Sequence, residues 1–157
     1  MIRPMDKSDK ADVMNILERT SMFTPPEIAV AEEVIDAYLD RPERKDYELV
    51  VCQNGERDLA GYAAFGPTPL TAGTYDLYWI AVAPEQQGSG VGRRLMAFVE
   101  DSLRGKGARL LLIETSSQSR YEPTRRFYLA LGYREAARIA GFYNPGDDRV
   151  TFVKYFG

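Results

Sequence analysis

The stretch Leu77-Tyr78-Trp79-Ile80-Ala81-Val82-Ala83-Pro84-Glu85-Gln86-Gln87-Gly88-Ser89-Gly90-Val91-Gly92-Arg93-Arg94-Leu95 decides how the rest of the chain is read. Residues 77–82 have almost no polar interruption, the pattern of a strand covered on both faces. Pro84 cannot donate to a sheet ladder, so the strand is expected to end there. After Gly92, the apolar positions Leu95, Phe98, Val99 and Leu103 recur at helical spacing, with Arg93, Arg94, Glu100, Asp101 and Arg104 on the polar side. Between strand and helix stand Gly88, Gly90 and Gly92. Without β-carbons in the way, the backbone amides there can approach a ligand closely. Together with the free N–H groups and positive dipole end of the helix, they make a cradle for an anion, with phosphate or pyrophosphate the natural guest. The same turn also reads as a plain flexible connection. A dinucleotide fingerprint competes as well, because Glu114 lies at about the right distance downstream. However, G-x-G-x-x-G fails in either register, since Arg93 or Leu95 occupies the place of the third glycine. A dinucleotide-binding oxidoreductase is therefore a minor alternative.

Composition narrows the classes further. A chain of 157 residues suits one domain and is short for two. A net charge of −3 gives no support to a general nucleic-acid binder, which needs clustered Lys and Arg; Arg93-Arg94 and Arg125-Arg126 are only pairs. The single cysteine, Cys52, allows no internal disulfide and falls in an apolar run, where it reads as a small buried residue. The absence of histidine excludes a Ser-His-Asp triad, a Cys-His dyad and the usual zinc sites, so no metal is expected. Acid–base chemistry must then come from Glu, Asp, Tyr, Cys or Lys. The first residues carry no apolar leader and no apolar run approaches membrane-spanning length, so a soluble cytoplasmic protein with no membrane partner is expected.

Along the chain, residues 2–5 read as a very short edge strand. Ser8 is the expected N-cap of a helix with Val13, Ile16, Leu17 and Thr20 on one face. Thr24-Pro25-Pro26-Glu27 has the form of a capping box opening a second helix to about Leu39, with Met22 and Phe23 in the link. Residues 47–53 and 59–65 are strand-like and joined through Asn54-Gly55, a hairpin signal. Gly105-Lys106-Gly107 ends the central helix, and residues 109–114 read as a buried strand. Strand, helix and strand at this length make a βαβ unit with parallel strands and a right-handed crossover. Pro123 is expected to start a helix bearing Thr124, Phe127, Tyr128 and Leu131, stopped by Gly132. Residues 133–139 and 149–156 read as a last strand pair around the turn region 144–148.

Two blocks carry a resemblance. Gln87-Gly88-Ser89-Gly90-Val91-Gly92 resembles the (Q/R)-x-x-G-x-(G/A) pyrophosphate loop of the GCN5-related N-acetyltransferases (GNAT), and the preceding residues 79–84 are similar to that family's strand. Arg126-Phe127-Tyr128-Leu129-Ala130-Leu131-Gly132-Tyr133 is similar to its helix-turn signature ending in Leu-Gly-(Phe/Tyr). Both occur in the family's order. The resemblance implies an α/β fold, a mixed and largely antiparallel sheet with a central parallel strand pair and helices on both faces. It implies acetyl-CoA as cosubstrate, its pantetheine arm lying against the backbone of Ile80, Ala81 and Val82 and its pyrophosphate meeting Gln87, Gly88, Ser89, Gly90, Val91, Gly92 and Arg93.

The implied activity is transfer of the acetyl group to a primary amine, borne by a small molecule or a peptide, by direct attack in a ternary complex. Tyr128 matches the tyrosine that serves the leaving sulfur and also contacts the cofactor. Glu114 matches a glutamate that acts as base in some subfamilies, with Asp76 and Glu85 as weaker candidates and the Val82 amide as stabiliser of the carbonyl oxygen. One departure stands out: where many members carry an asparagine seven residues before the tyrosine, this chain has Tyr121, in a link that is slightly long. A non-catalytic acyl-CoA-binding regulatory module is the alternative from another class. The oligomeric state, with a homodimer open, and the identity of the amine are not written in these motifs.

Overall fold

The computed structural model describes residues 1–56 and 58–157. Among the described residues, seven strands form one sheet: β1 (Ile2–Pro4), β2 (Glu48–Asn54), β3 (Asp58–Pro67), β4 (Thr74–Val82), β5 (Leu110–Ser116), β6 (Arg134–Asn144) and β7 (Asp147–Tyr155), in the order β1-β2-β3-β4-β5-β7-β6. Only β4 and β5 are parallel; the other neighbours are antiparallel. This is the mixed sheet that the resemblance implies, and it departs from the doubly wound parallel sheet a dinucleotide-binding oxidoreductase would require.

Four helices cover the two faces: α1 (Lys10–Arg19), α2 (Pro25–Asp40), α3 (Val91–Gly105) and α4 (Glu122–Ala130). Strand alternation sorts the core accordingly. Val50 and Cys52 of β2 pack with α3 and with Tyr128 of α4, whereas Leu49 and Val51 pack with α1 and α2. Helix α3 seals Leu95, Met96, Val99 and Leu103 completely, each worth about 1.5–3 kcal/mol of burial. Phe98, expected on that face, is 37% exposed at its margin.

The helix starts are set locally. Thr24 and Glu27 form the expected reciprocal box at the head of α2, Thr24 N–H donating to Glu27 Oε1 at 3.0 Å and Glu27 N–H to Thr24 Oγ1 at 3.4 Å. The start of α1 corrects the expectation for Ser8. A one-turn 3-10 helix (Lys7–Asp9) precedes α1, and its cap is Asp6, which accepts from the Ser8 N–H. A carboxylate two residues earlier wins because Asp9 can close the box by accepting from the Asp6 N–H. At the other end of the chain, β6 and β7 run longer than expected and leave only Pro145 and Gly146 as the turn. No helix is long and apolar enough to cross a membrane among the described residues.

Candidate active site in the slot between β4 and β5

The parallel pair β4–β5 is short. Thr74 to Leu77 pair with Leu110 to Ile113, and the strands then part. The cause lies on the other edge of β4, where Ala64 pairs with Trp79 but Phe65 pairs with Leu77, leaving Tyr78 as the extra residue of a bulge. A bulge bends its strand and raises the twist, which turns residues 78–82 away from residues 114–116. The result is a slot through the sheet. Its presence corrects the expectation that β4 is covered on both faces: Tyr78, Trp79, Ile80 and Val82 are only half-buried.

Backbone direction in the slot follows from alternation. Ala83 N–H donates to Ala60 O of β3 at 2.8 Å, so Ala81, two residues back, also directs its N–H and C=O to β3. Ile80 and Val82 therefore direct theirs into the slot. Ala81 instead contributes a small buried side chain to the core under α1 and α2.

At the end of β4, a 3-10 turn (Pro84–Gln86) leads into the glycine turn. Gly88 and Gly90 hold φ of 81° and 88°, values that favour glycine, and a β-carbon at either would meet nothing within 4 Å. The first hydrogen bond of α3 runs from Arg94 N–H to Gly90 O. The amides of Val91, Gly92 and Arg93 are thus left without partners within the helix. The room around Gly88 and Gly90, next to amides that have no partner within the helix, is what a bound anion needs, so the residues present fit a pyrophosphate. Gln87, Ser89 and Arg93 are exposed around the turn, with Ser89 Oγ bonded back to Gln86 O.

Helix α4 is brought to the same place. A β-carbon on Gly92 would lie 3.3 Å from Phe127 Cζ and 3.7 Å from Val82 Cγ2, so glycine at 92 lets the helix start, the strand end and α4 meet. Next to Phe127, Tyr128 is 3% exposed among Phe127, Tyr133 and Phe152, with ring centroids 5.4, 6.0 and 6.0 Å away. Burial alone pushes its phenol well above the ordinary tyrosine range, with no hydrogen bond or charge contributing. It is a neutral donor throughout the working pH range.

Glu114 lies on the opposite side. Ile113 packs in the core that holds Tyr128, so its neighbour Glu114 points to the other face of the sheet, where it pairs in register with Thr151. Its side chain is 48% exposed, with Oε1 3.8 Å from Arg149 Nη1. The slot thus separates a buried phenol on one face from an accessible carboxylate on the other. The weaker candidates stand elsewhere. Asp76 accepts from Thr68 Oγ1 at 2.7 Å within the paired part of β4. Glu85 is engaged by Arg19 at 2.8 and 3.3 Å, which holds its carboxyl below the usual range. Cys52 is fully buried in β2.

The walls on the Glu114 face come from the α1–α2 link and the last hairpin, held by bonds that no local pattern in the sequence shows. Tyr121 Oη donates to Met22 O at 2.9 Å, tying the link after β5 to the α1–α2 loop. The β6–β7 turn is laced to the end of β5. There Ser116 Oγ bonds to Asp147, Ser117 N–H donates to Asp148 O at 3.0 Å, and Asp148 N–H donates to Ser117 Oγ at 2.8 Å. Arg125 Nη1 locks the same corner by donating to Ser116 O at 2.7 Å. Small polar residues at a strand end were the only available signal.

The sequence matches the family described as Acetyltransferase (GNAT) family over residues 11–133, most of the chain. The chain belongs to the GNAT acetyltransferases. A crystal structure from Desulfovibrio desulfuricans assigned to that family superimposes with a TM-score of 0.95 at 44% identity, over 99% of this chain and 98% of the other. The Escherichia coli (strain K12) ribosomal protein bS18-alanine N-acetyltransferase is 27% identical over 94% of this chain and 90% of its own. A Salmonella typhimurium structure with its cofactor acetyl-CoA shares the fold at a TM-score of 0.75 and 21% identity, over 100% and 94% of the two chains. The mixed sheet, the open slot and the glycine turn are therefore the GNAT fold. Among the described residues no group of three or more His, Cys, Asp or Glu side chains is placed to hold a metal.

Proposed function

We propose that residues 1–157 form one GNAT domain that transfers the acetyl group of acetyl-CoA to a primary amine by direct attack in a ternary complex, in the cytoplasm. The observation that carries this reading is the meeting of three features: backbone groups of Ile80 and Val82 facing the slot, a glycine turn with unpartnered amides, and Tyr128 beside them. In this reading the amides of Gly88, Gly90, Val91, Gly92 and Arg93 hold the pyrophosphate, with Gln87 and Ser89 shaping the turn. Ile80 and Val82 pair with the pantetheine arm as a further strand would.

Chemistry then divides between the two sides of the slot. The amine nitrogen forms a bond to the thioester carbonyl carbon, and the carbon–sulfur bond breaks with its electron pair going to sulfur. Tyr128 donates its proton or a hydrogen bond to that sulfur. The proton leaving the nitrogen passes to Glu114, directly or through water, and the Val82 amide meets the charge growing on the carbonyl oxygen. No covalent acetyl-enzyme is required.

The test is release of CoA thiol from acetyl-CoA in the presence of an amine panel, with both substrates varied. Intersecting double-reciprocal lines, and a Glu114→Gln defect that shrinks as pH rises toward the amine pKa, are expected. Parallel lines with an acetylated protein mass would contradict direct attack, and binding of acetyl-CoA without turnover of any amine would favour a regulatory acyl-CoA module.

A further inference from the structure

On the face of the sheet that carries Glu114, the neighbouring strand β7 presents Arg149. It sits opposite Ser116 of β5 and Ile139 of β6, two residues from Thr151, the register partner of Glu114. Two-residue spacing on a strand puts Arg149, Thr151 and Glu114 on one face. The guanidinium carbon stands 4.6 Å from the ring centroid of Phe142, so an aromatic face holds the side chain in place. Its hydrogen bonding is unusual. Nε is the one buried side-chain nitrogen or oxygen without a hydrogen-bond partner among the described residues. Nη1 approaches Glu114 only to 3.8 Å, longer than a hydrogen bond.

A guanidinium carries five donors in a planar fork that matches a carboxylate, and buried donors are ordinarily satisfied. Here packing against Phe142 holds the fork while, among the described residues, Nε has no hydrogen-bond partner and Nη1 only faces Glu114. The other charges nearby are spoken for: Asp147 bonds to Ser116 Oγ, Asp148 accepts from Gly141 N–H and faces Arg138, and Glu27 closes the cap of α2. Glu114 and Arg149 therefore remain as an adjacent, opposite pair of charges at the acceptor side of the slot.

We infer that the acceptor is a zwitterionic amine, a free α-amino acid whose ammonium faces Glu114 and whose carboxylate is taken by Arg149. The inference rests on the function proposed above and names the substrate class of that same site. It separates this chain from its bS18-alanine relative in kind, because an acceptor amine at a protein N-terminus has a peptide carbonyl in place of the adjacent carboxylate. Phe142 and Tyr143, 50% and 43% exposed on the hairpin anchored by Asp147 and Asp148, stand where the amino-acid side chain would lie.

The experiment compares matched acceptors: the standard amino acids against their α-amides and decarboxylated amines, with phosphoethanolamine as an alternative anion, in wild type, Arg149→Gln and Arg149→Lys. Expected is a kcat/KM ratio of free acid to amide of about 10 to 100 in wild type, the range of a charge-assisted contact. The ratio falls to near unity in Arg149→Gln and stays intermediate in Arg149→Lys. A wild-type ratio at or below unity, a preference for phosphoethanolamine, or a ratio that Arg149→Gln leaves unchanged overturns the inference. A binding arm keeps it independent of turnover. If acetyl-CoA binds but no amine is acetylated, the proposed function fails. The thermal midpoint of CoA-saturated protein then decides alone: millimolar free acids raising it where amides do not supports Arg149 as the carboxylate site, and equal or absent shifts refute it.

Discussion

Replacing Gly90 by alanine tests whether the glycine turn is shaped for a ligand. Gly90 is the residue before α3, at φ 88°, and a β-carbon there meets nothing within 4 Å, so the cost of the change is backbone strain without a clash. That strain is about 1–2 kcal/mol for an L-residue held left-handed. It is divided between two observables. If the variant keeps the turn, the free protein loses the whole amount and acetyl-CoA affinity is unchanged. If the turn relaxes, the free protein loses less and binding makes up the difference, up to about 5- to 30-fold in Kd. The two losses must sum to about 1–2 kcal/mol of strain, less the roughly 0.4–1 kcal/mol that replacing a glycine gains by restricting the unfolded chain. Denaturant unfolding read beside an acetyl-CoA titration measures both, and the stability part corresponds to about 2–4 °C in Tm per kcal/mol for a chain of this size. Gly105→Ala is the control: it closes α3 without a left-handed φ and with open space around a β-carbon, so it should gain about 0.4–1 kcal/mol. A Gly90→Ala protein as stable as Gly105→Ala and as tight-binding as wild type would refute the reasoning.

Tyr128→Phe should leave stability within about 0.5 kcal/mol, since a hydroxyl without a partner contributes little, while kcat falls about 10²-fold with little change in acetyl-CoA KM. Because burial holds that phenol above its ordinary range, the wild-type rate should show no alkaline downturn from Tyr128 within the assay range. Glu100→Ala should cost about 2–3 kcal/mol, measured by denaturant unfolding. The substitution strips a buried carboxylate from Tyr133 Oη at 3.0 Å and Lys154 Nζ at 2.8 Å and leaves a half-buried ammonium unmatched. At acid pH, Arg3 donates to Asp9 and holds its carboxyl below the usual range. That contribution is complete above about pH 4 and is lost as pH falls through the lowered folded value, so Asp9→Asn should flatten this part of the acid limb.

What the sequence revealed and what it hid follow one physical division. The β4–α3 unit was legible because glycine spacing, a strand-ending proline and helical periodicity act over a few residues, and the Thr24–Glu27 box was legible for the same reason. Glu100 reads only as one of the polar residues of α3, and its burial was not legible because its partners, Tyr133 and Lys154, lie on the α4–β6 turn and on β7, far along the chain. The openness of β4 was not legible in its composition, since an apolar strand lining a slot reads like one covered on both faces; only the resemblance, which lays a pantetheine arm against residues 80–82, implied it. The bulge at Tyr78 that opens the slot depends on register with β3, and register is a property of two strands. Arg149 carries no local signal, and Tyr121 stood out only as a departure from the family's asparagine, with nothing to say what it touches. Their neighbours are assembled by the order of the sheet and by the Asp147–Ser116 and Tyr121–Met22 bonds that fix the walls.

The central claim is that the turn at residues 87–93 and the slot beside it hold acetyl-CoA. It is tested most directly by the thermal unfolding midpoint across an acetyl-CoA titration, with NADH in parallel. Saturable stabilisation of about 2.7 kcal/mol at 100 times Kd, a rise of about 5–11 °C, is the expected result with acetyl-CoA and not with NADH. An unmoved midpoint at millimolar acetyl-CoA, or an equal rise with NADH, would contradict it.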